Sequence, residues 1–232
     1  MKSFLTVSEC FYSIQGEGQT AGHPAVFLRL AGCNLLCEGS GWRCDTIEVW
    51  RKGTRTQFEN VLSEEYVSHL TAGAHLVITG GEPMLVQAEL IQFINWFHST
   101  YDFLPIVEIE TNGTVLPRNN LVELVNYWNV SFKLSTCGEP YSKRVNIAAL
   151  DAFDKLPNAV FKIVISCEMD VLELINDFDK YVRSGKMILM PAGENQEQLM
   201  RTRYIAAIAC KTLYLQYCDR LHIAIWNLKT GV

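Results

Sequence analysis

The sequence predicts an α/β fold in which a parallel sheet carries helices on its outside. Three observations carry this. Short β-branched and aromatic runs alternate with helical periodicities along the chain, which is the pattern of βαβ units. Hydrophobic residues make up 49% of the 232 positions and charged residues 19%, enough for a large core and unlike a disordered chain. No Pro/Gly/Ser linker, charge run or internal repeat divides the chain, so residues 1–232 read as one domain.

The strands come in order as apolar runs at 25–30, 76–79, 106–110, 130–134, 160–165 and 187–190. Between them, Leu90, Ile94 and Phe97 share one helical face. Leu174, Phe178 and Tyr181 share another, with Ile175 and Val182 beside them. A further helix covers about 196–210, and the segment 221–226 (Leu-His-Ile-Ala-Ile-Trp) reads as a last strand. Six such units make either an open sheet or an incomplete barrel, and periodicity does not separate the two. In both architectures chemistry collects at the C-terminal ends of the strands.

Composition removes several function classes. A net charge of −5 argues against a whole-surface hold on nucleic acid. The apolar runs are far shorter than the ~20 residues of a membrane helix. Met1 to Thr6 shows no long apolar stretch of the secretory type. These point to a cytoplasmic enzyme, and a disulfide framework is the wrong reading for its eight cysteines. Cys10, Cys167, Cys210 and Cys218 lie in apolar or mixed segments and read as small buried hydrophobes.

Cys33, Cys37 and Cys44 differ, because they share one glycine-rich loop after the first of these strands. Soft thiolates select zinc, copper(I) or iron–sulfur clusters. Structural zinc takes four ligands, and no histidine lies close to this loop. Three thiolates suit a four-iron cluster with one iron open to another ligand. Zinc completed by a remote ligand stays open at this point. After the second strand comes Thr79-Gly80-Gly81-Glu82-Pro83. Paired glycines bring bare backbone close to a ligand, and a carboxylate there can receive an ammonium group.

A three-cysteine loop followed by a Gly-Gly-Glu-Pro turn resembles the radical S-adenosylmethionine (SAM) superfamily, and the resemblance covers nearly the whole chain. It implies a partial (β/α)6 barrel. It also implies a [4Fe-4S] cluster on Cys33, Cys37 and Cys44, and SAM chelating the open iron. Gly80, Gly81 and Glu82 would bind the SAM amino group. The chain departs from the usual Cys-x3-Cys-x2-Cys spacing, since six residues separate Cys37 from Cys44.

The flanking segments resemble one branch of that superfamily, the 7-carboxy-7-deazaguanine synthases. These segments are Ser13-Ile14-Gln15-Gly16-Glu17-Gly18, Arg29 before the cysteine loop, Cys44-Asp45-Thr46, Glu110-Thr111-Asn112-Gly113, and Ser131-Phe132-Lys133. The resemblance implies a lyase acting on 6-carboxy-5,6,7,8-tetrahydropterin, with loss of ammonia, in 7-deazaguanine (queuosine-type) biosynthesis. Arg29 would pair with the substrate carboxylate. Ile14, Gln15, Gly16 and Glu17 would meet the pterin edge, and Thr79 would reach the substrate from its strand end. Thr46 would help hold Mg2+, and Ser131, Phe132 and Lys133 would contact SAM. Phe132 stands where the family pattern has proline. A homodimer and a reductant such as flavodoxin follow from the same resemblance, as does a C-terminal tail through Val232 that closes over the substrate. The rival readings are a glycyl-radical-enzyme activating enzyme of the same superfamily and a zinc-stabilised binding module without catalysis.

Overall fold

The structure is a computed structural model that describes residues 3–39 and 42–229. Residues 40 and 41 of the cysteine loop and 230–232 of the expected closing tail lie outside the described residues. In chain order the strands are β1 (Phe4–Ile14), β2 (Pro24–Leu30), β3 (Thr54–Gln57), β4 (His75–Gly80), β5 (Val107–Thr111), β6 (Tyr127–Val130), β7 (Ala159–Ile165), β8 (Met187–Pro191) and β9 (Gln216–Tyr217). They form one nine-stranded sheet in the order β3-β1-β2-β4-β5-β6-β7-β8-β9. β1 pairs antiparallel with β2 and β3, and every pairing from β2 to β9 is parallel.

The parallel strands follow one another in space as in sequence. With right-handed crossovers, that order places every connecting helix on the same side. Helix α1 (Ile47–Trp50) follows the cysteine loop, and α2 (Glu64–Thr71) precedes β4. Then come α3 (Gln87–Tyr101), α4 (Asn119–Val122), α5 (Tyr141–Arg144), α6 (Ile147–Asp154), α7 (Glu168–Asp177), α8 (Asp179–Val182) and α9 (Gln196–Leu213). Several starts are capped as their sequences require: Ser63 accepts from the Tyr66 N–H, Asn146 from Ala149 and Asn195 from Gln198.

The two faces of the sheet differ in chemistry, because successive strand residues point to opposite sides. Val26, Leu28, Leu76, Ile78, Val107, Ile109, Trp128, Phe161, Ile163 and Leu189 pack with Phe93, Phe153, Leu174 and Ala206 of the helices in one core. The intervening residues include Arg29, Thr79, Glu108, Glu110, Asn129 and Lys162. A sheet covered by helices on both faces is apolar on both; here the second face carries these polar side chains beside a small apolar cluster of Ala25, Phe27, Val77 and Phe11, and becomes the wall of a cavity. Its deep end is plugged by residues 15–20. Gln15 Nε2 donates to Glu108 Oε1 at 2.8 Å, and Thr20 Oγ1 to Oε2 at 2.5 Å. Asn129 Nδ2 also donates to Glu108.

Three sequence expectations are corrected. The apolar run at 130–134 does not continue as a strand: β6 ends at Val130, and beyond Ser131 the chain leaves the sheet. The segment 221–226 is not a strand but a helix, α10 (Leu221–Trp226). Its first N–H is taken by the Gly16 carbonyl at 2.9 Å, which draws it to the cavity mouth instead of the sheet edge. The antiparallel strands β1 and β3, absent from the expected runs, extend the sheet beyond β2.

Candidate active site

A cavity of about 970 Å3 opens at the C-terminal ends of the parallel strands. Of the expected site residues, Ile14, Gln15, Gly16, Glu17, Arg29, Cys33, Cys37, Cys44, Thr46, Thr79, Gly80, Gly81, Ser131 and Lys133 all line it. Glu82 and Phe132 do not.

The cysteine loop is held by its own backbone and by two neighbouring loops. Gly39 N–H bonds Trp42 O at 3.2 Å and Cys44 N–H bonds Cys37 O at 2.9 Å, so residues 37–39 and 42–44 pair as the two arms of a small hairpin. Glu139 Oε1 accepts from the Leu36 N–H at 2.6 Å. Asn34 bonds both Thr114 and Asn112. The Leu35 N–H points at Cys33 Sγ at 3.4 Å.

All three loop thiols reach the cavity wall, and Cys33, Cys37 and Cys44 pack in one apolar cluster with Leu35, Trp42 and Cys137. Among the described residues, no three His, Cys, Asp or Glu surround a single-ion position. A four-iron cubane takes its thiolates from more widely spaced positions than one ion does, and the three loop thiols at the cavity wall fit it; Cys137, the fourth thiol of the cluster, does not line the cavity. Cys33 is pushed above the ordinary thiol range by burial. The Cys37 thiol donates to Cys137, which raises Cys37 and lowers its partner.

The Gly-Gly-Glu-Pro turn lies directly against the start of this loop. Gly81 N–H bonds Leu30 O at 3.1 Å, and Glu82 N–H bonds Gly32 O at 2.9 Å. A Cβ on Gly81 would stand 2.0 Å from the Gly32 oxygen, so the second glycine is required by backbone packing against the cysteine loop. The Glu82 carboxylate turns inward and anchors the next loop. It accepts from Met84 N at 3.0 Å, Thr111 Oγ1 at 2.7 Å and Asn112 N at 2.6 Å. Burial raises its pKa, against those hydrogen bonds and the Lys133 charge. What this turn presents to the cavity is therefore the backbone of Gly80 and Gly81.

Ser131 and Lys133 face the cavity together, with Lys133 Nζ donating to Ser131 Oγ at 2.9 Å and standing 5.6 Å over the Trp42 ring. Phe132 between them points the other way, into a cluster with Phe161, Phe178 and Tyr181. Alternation along the chain sends its side chain to the core, so the SAM contact implied for Phe132 is not one that its ring makes. The loop after it, Ser135 to Glu139, is tied to α7: Glu173 accepts from Ser135, and Asp170 from Thr136.

On the opposite wall, Arg29 Nε bonds Glu9 Oε1 at 2.7 Å. Gln15 is spent inside the protein, its amide bonded to Glu108 and its oxygen to the Glu17 N–H. Glu17 is clamped between two cations: Lys162 Nζ at 2.6 Å from Oε2 and Arg220 Nε at 2.8 Å from Oε1. Burial favours its protonation, but Lys162 and Arg220 outweigh that and hold it well below the ordinary carboxylate range. Arg220 also reaches the Gly193 carbonyl and Asp45, joining three loops beneath α10. Thr46 Oγ1 lies 3.4 Å from Cys44 Sγ. Glu110 takes the Thr79 hydroxyl at 2.8 Å and Lys162 Nζ at 3.0 Å.

Comparison with known proteins bears on this arrangement. Residues 14–133 match the 4Fe-4S single cluster domain family. A 7-carboxy-7-deazaguanine synthase of Pyrobaculum aerophilum is 33% identical, over 98% of this chain and 97% of that protein. The chain belongs to the 7-carboxy-7-deazaguanine synthase family. A synthase of Rhodopirellula baltica is also 33% identical, over 99% of this chain and 90% of its own length. One of Halobacterium salinarum is 30% identical, over 96% and 91%. The crystal structure of QueE from Escherichia coli shares the fold, with a TM-score of 0.67 at 22% identity, covering 94% of this chain and 95% of that one.

For a carboxydeazaguanine synthase, the residues that sequence reasoning missed are as informative as those it found. Lys162 is a lone cation in an otherwise apolar strand, a signal present in the sequence. Glu108 and Glu110 alternate with Val107 and Ile109, which marks a polar face. Arg220 and Cys137 carried no such local signal; only the fold brings them to Glu17 and Cys37.

Proposed function

We propose that this chain converts 6-carboxy-5,6,7,8-tetrahydropterin to 7-carboxy-7-deazaguanine and ammonia as a radical SAM lyase. The observation that carries the reading is one cavity, in a chain related over its whole length to these synthases, that gathers three free thiols, a bare Gly-Gly backbone and Arg29. Cys33, Cys37 and Cys44 would hold the cluster, and SAM bound beside it would supply the radical chemistry needed at C6 of the pterin. The protein positions and encloses. Gly80 and Gly81 offer backbone to the SAM amino group, and Ser131 and Lys133 meet its polar rim. Arg29 is the partner for the substrate carboxylate.

The N–H edge of the ring needs acceptors. Glu110 on the cavity wall supplies a carboxylate, and the backbone of Ile14 and Gly16 adds carbonyls. Gln15 and Glu17 support that edge through the network that fixes residues 15–20. Thr79 orients Glu110. Thr46 would contribute a hydroxyl oxygen to a Mg2+ near the substrate carboxylate.

The sheet is read as a partial (β/α)6 barrel, supported by its consecutive strand order and its polar inner face. One domain carries the whole activity. The enzyme acts in the cytoplasm as a homodimer, draws its electron from a flavodoxin-like reductant and acts on a free pterin rather than on nucleic acid. No helix among the described residues is long and apolar enough to cross a membrane.

The test is anaerobic reconstitution with iron and sulfide, then incubation with carboxytetrahydropterin, SAM, Mg2+ and reductant. Carboxydeazaguanine should form over many turnovers without net loss of SAM. Colourless protein with one zinc, or stoichiometric SAM consumption without that product, overturns the reading.

A further inference from the structure

Lys162 has no part in the roles given so far, yet it is the most enclosed cation of the cavity, with only 5% of its side chain exposed. Its ammonium lies between two carboxylates on different elements, 2.6 Å from Glu17 and 3.0 Å from Glu110. A third carboxylate, Glu108, lies one pleat deeper on the same face and is fully buried. The floor thus carries three acids. Other cations are committed elsewhere or lie off to the side. Arg220 approaches Glu17 from its far side and shares its charge with Asp45. Arg29 pairs with Glu9. His75 faces Glu108 at 3.6 Å, and His222 stands 4.0 Å from Glu17, where burial lowers its affinity for a proton.

We propose that Lys162 is a positioning residue for the polar edge of the substrate: seated between Glu17 and Glu110, it keeps Glu110 a charged acceptor turned to the cavity. This rests on the reading above, in which an amino-pyrimidinone edge with adjacent N–H donors binds at Glu110. A carboxylate accepts two such donors only while ionised, and those bonds are then charge-assisted. Thr79 and Gln15 already fix how the group is turned, at 2.8 and 3.5 Å. Without the ammonium, Glu17 and Glu110 face each other in an enclosed floor with no cation between them, and the pair relieves this by taking up a proton. A proton on that pair removes an acceptor the substrate needs.

The experiment measures the dissociation constant of carboxytetrahydropterin on the anaerobic holoenzyme with SAM, by calorimetry from pH 6 to 9. The proteins compared are wild type, Lys162→Met, Lys162→Gln, Lys162→Arg and Glu110→Gln. Wild type and Lys162→Arg should bind with nearly level pH profiles. Lys162→Met and Lys162→Gln should bind on the order of tenfold to a hundredfold more weakly at pH 6.5, the worth of hydrogen bonds to a charged group. Their affinity should recover as the pH rises. SAM binding, read from its effect on the cluster's electron paramagnetic resonance signal, should be unchanged in all. Wild-type affinity in both neutral variants, or an equal loss at every pH, overturns the proposal. Glu110→Gln should lose affinity without pH dependence; if it binds as wild type, the placement of the ring edge at Glu110 fails instead, whatever the Lys162 variants do.

Discussion

Gly39 lies so close to the Thr136 carbonyl oxygen that a Cβ on it would stand 1.9 Å from that atom. The hairpin between Cys37 and Cys44 is thus seated on the loop after β6, the same loop that carries Lys133 toward the cavity. Gly39 thus joins the cysteine loop to the segment that follows Lys133.

Gly39→Ala should therefore unseat the hairpin. Overpacking against backbone costs about 1–3 kcal/mol, and the cost falls on the loop that presents Cys37 and Cys44. We expect reconstituted Gly39→Ala to hold clearly less iron per chain than wild type, with an unchanged far-ultraviolet circular dichroism spectrum. Equal iron content would show that the seat is dispensable.

The cysteines should divide into two groups. Cys33→Ser, Cys37→Ser and Cys44→Ser should each abolish the brown chromophore and all product formation. Cys10→Ser, Cys210→Ser and Cys137→Ser should keep both, although Cys137 touches Cys37. Iron analysis and absorbance near the thiolate-to-iron bands check this directly.

Arg29→Ala should weaken the substrate and spare SAM. Loss of a charge-assisted carboxylate contact is worth about 1.5–3 kcal/mol, so KM for the pterin should rise by about ten- to a hundredfold. A comparable loss of SAM affinity would place Arg29 elsewhere in the reaction.

Stability should fall in acid through Glu17. Lys162 and Arg220 hold its folded-state pKa well below that of the unfolded chain, against the opposing pull of burial. The stabilisation is then present above the unfolded pKa of about 4.3 and is lost as the pH drops through the lower folded value. Asp45 behaves alike: burial opposes ionisation, and Arg220 overcomes it. Denaturant midpoints from pH 3 to 7 should show a shallower acid slope for Glu17→Gln than for wild type. At pH 7 that variant should itself be about 3 kcal/mol less stable, because two enclosed cations lose a partner.

Much of this was legible in the residues. Five of the six expected parallel runs, the cysteine loop and the glycine turn are local signals, because strand formation and tight turns depend on neighbours in the chain. The alternation Val107-Glu108-Ile109-Glu110 stated that one face of β5 is polar. The segment 221–226 misled because its apolar residues fit a strand or a short helix equally. The Gly16 carbonyl that receives the Leu221 N–H seats the segment as a helix at the cavity mouth. Phe132 lies between two cavity-facing residues, and alternation along the chain turns its ring into the core with Phe161 and Phe178.

The sequence by itself determined that Cys33, Cys37 and Cys44 share one loop after a strand carrying Arg29, and that a Gly-Gly-Glu-Pro turn follows a later strand. Only the tertiary structure decided which of them meet. Lys162 and Glu110 are 52 positions apart, on strands separated by β6, and Arg220 and Glu17 are 203 apart. Strand order and register place those side chains on one face, and such long-range pairing is a property of the folded sheet that no local pattern encodes.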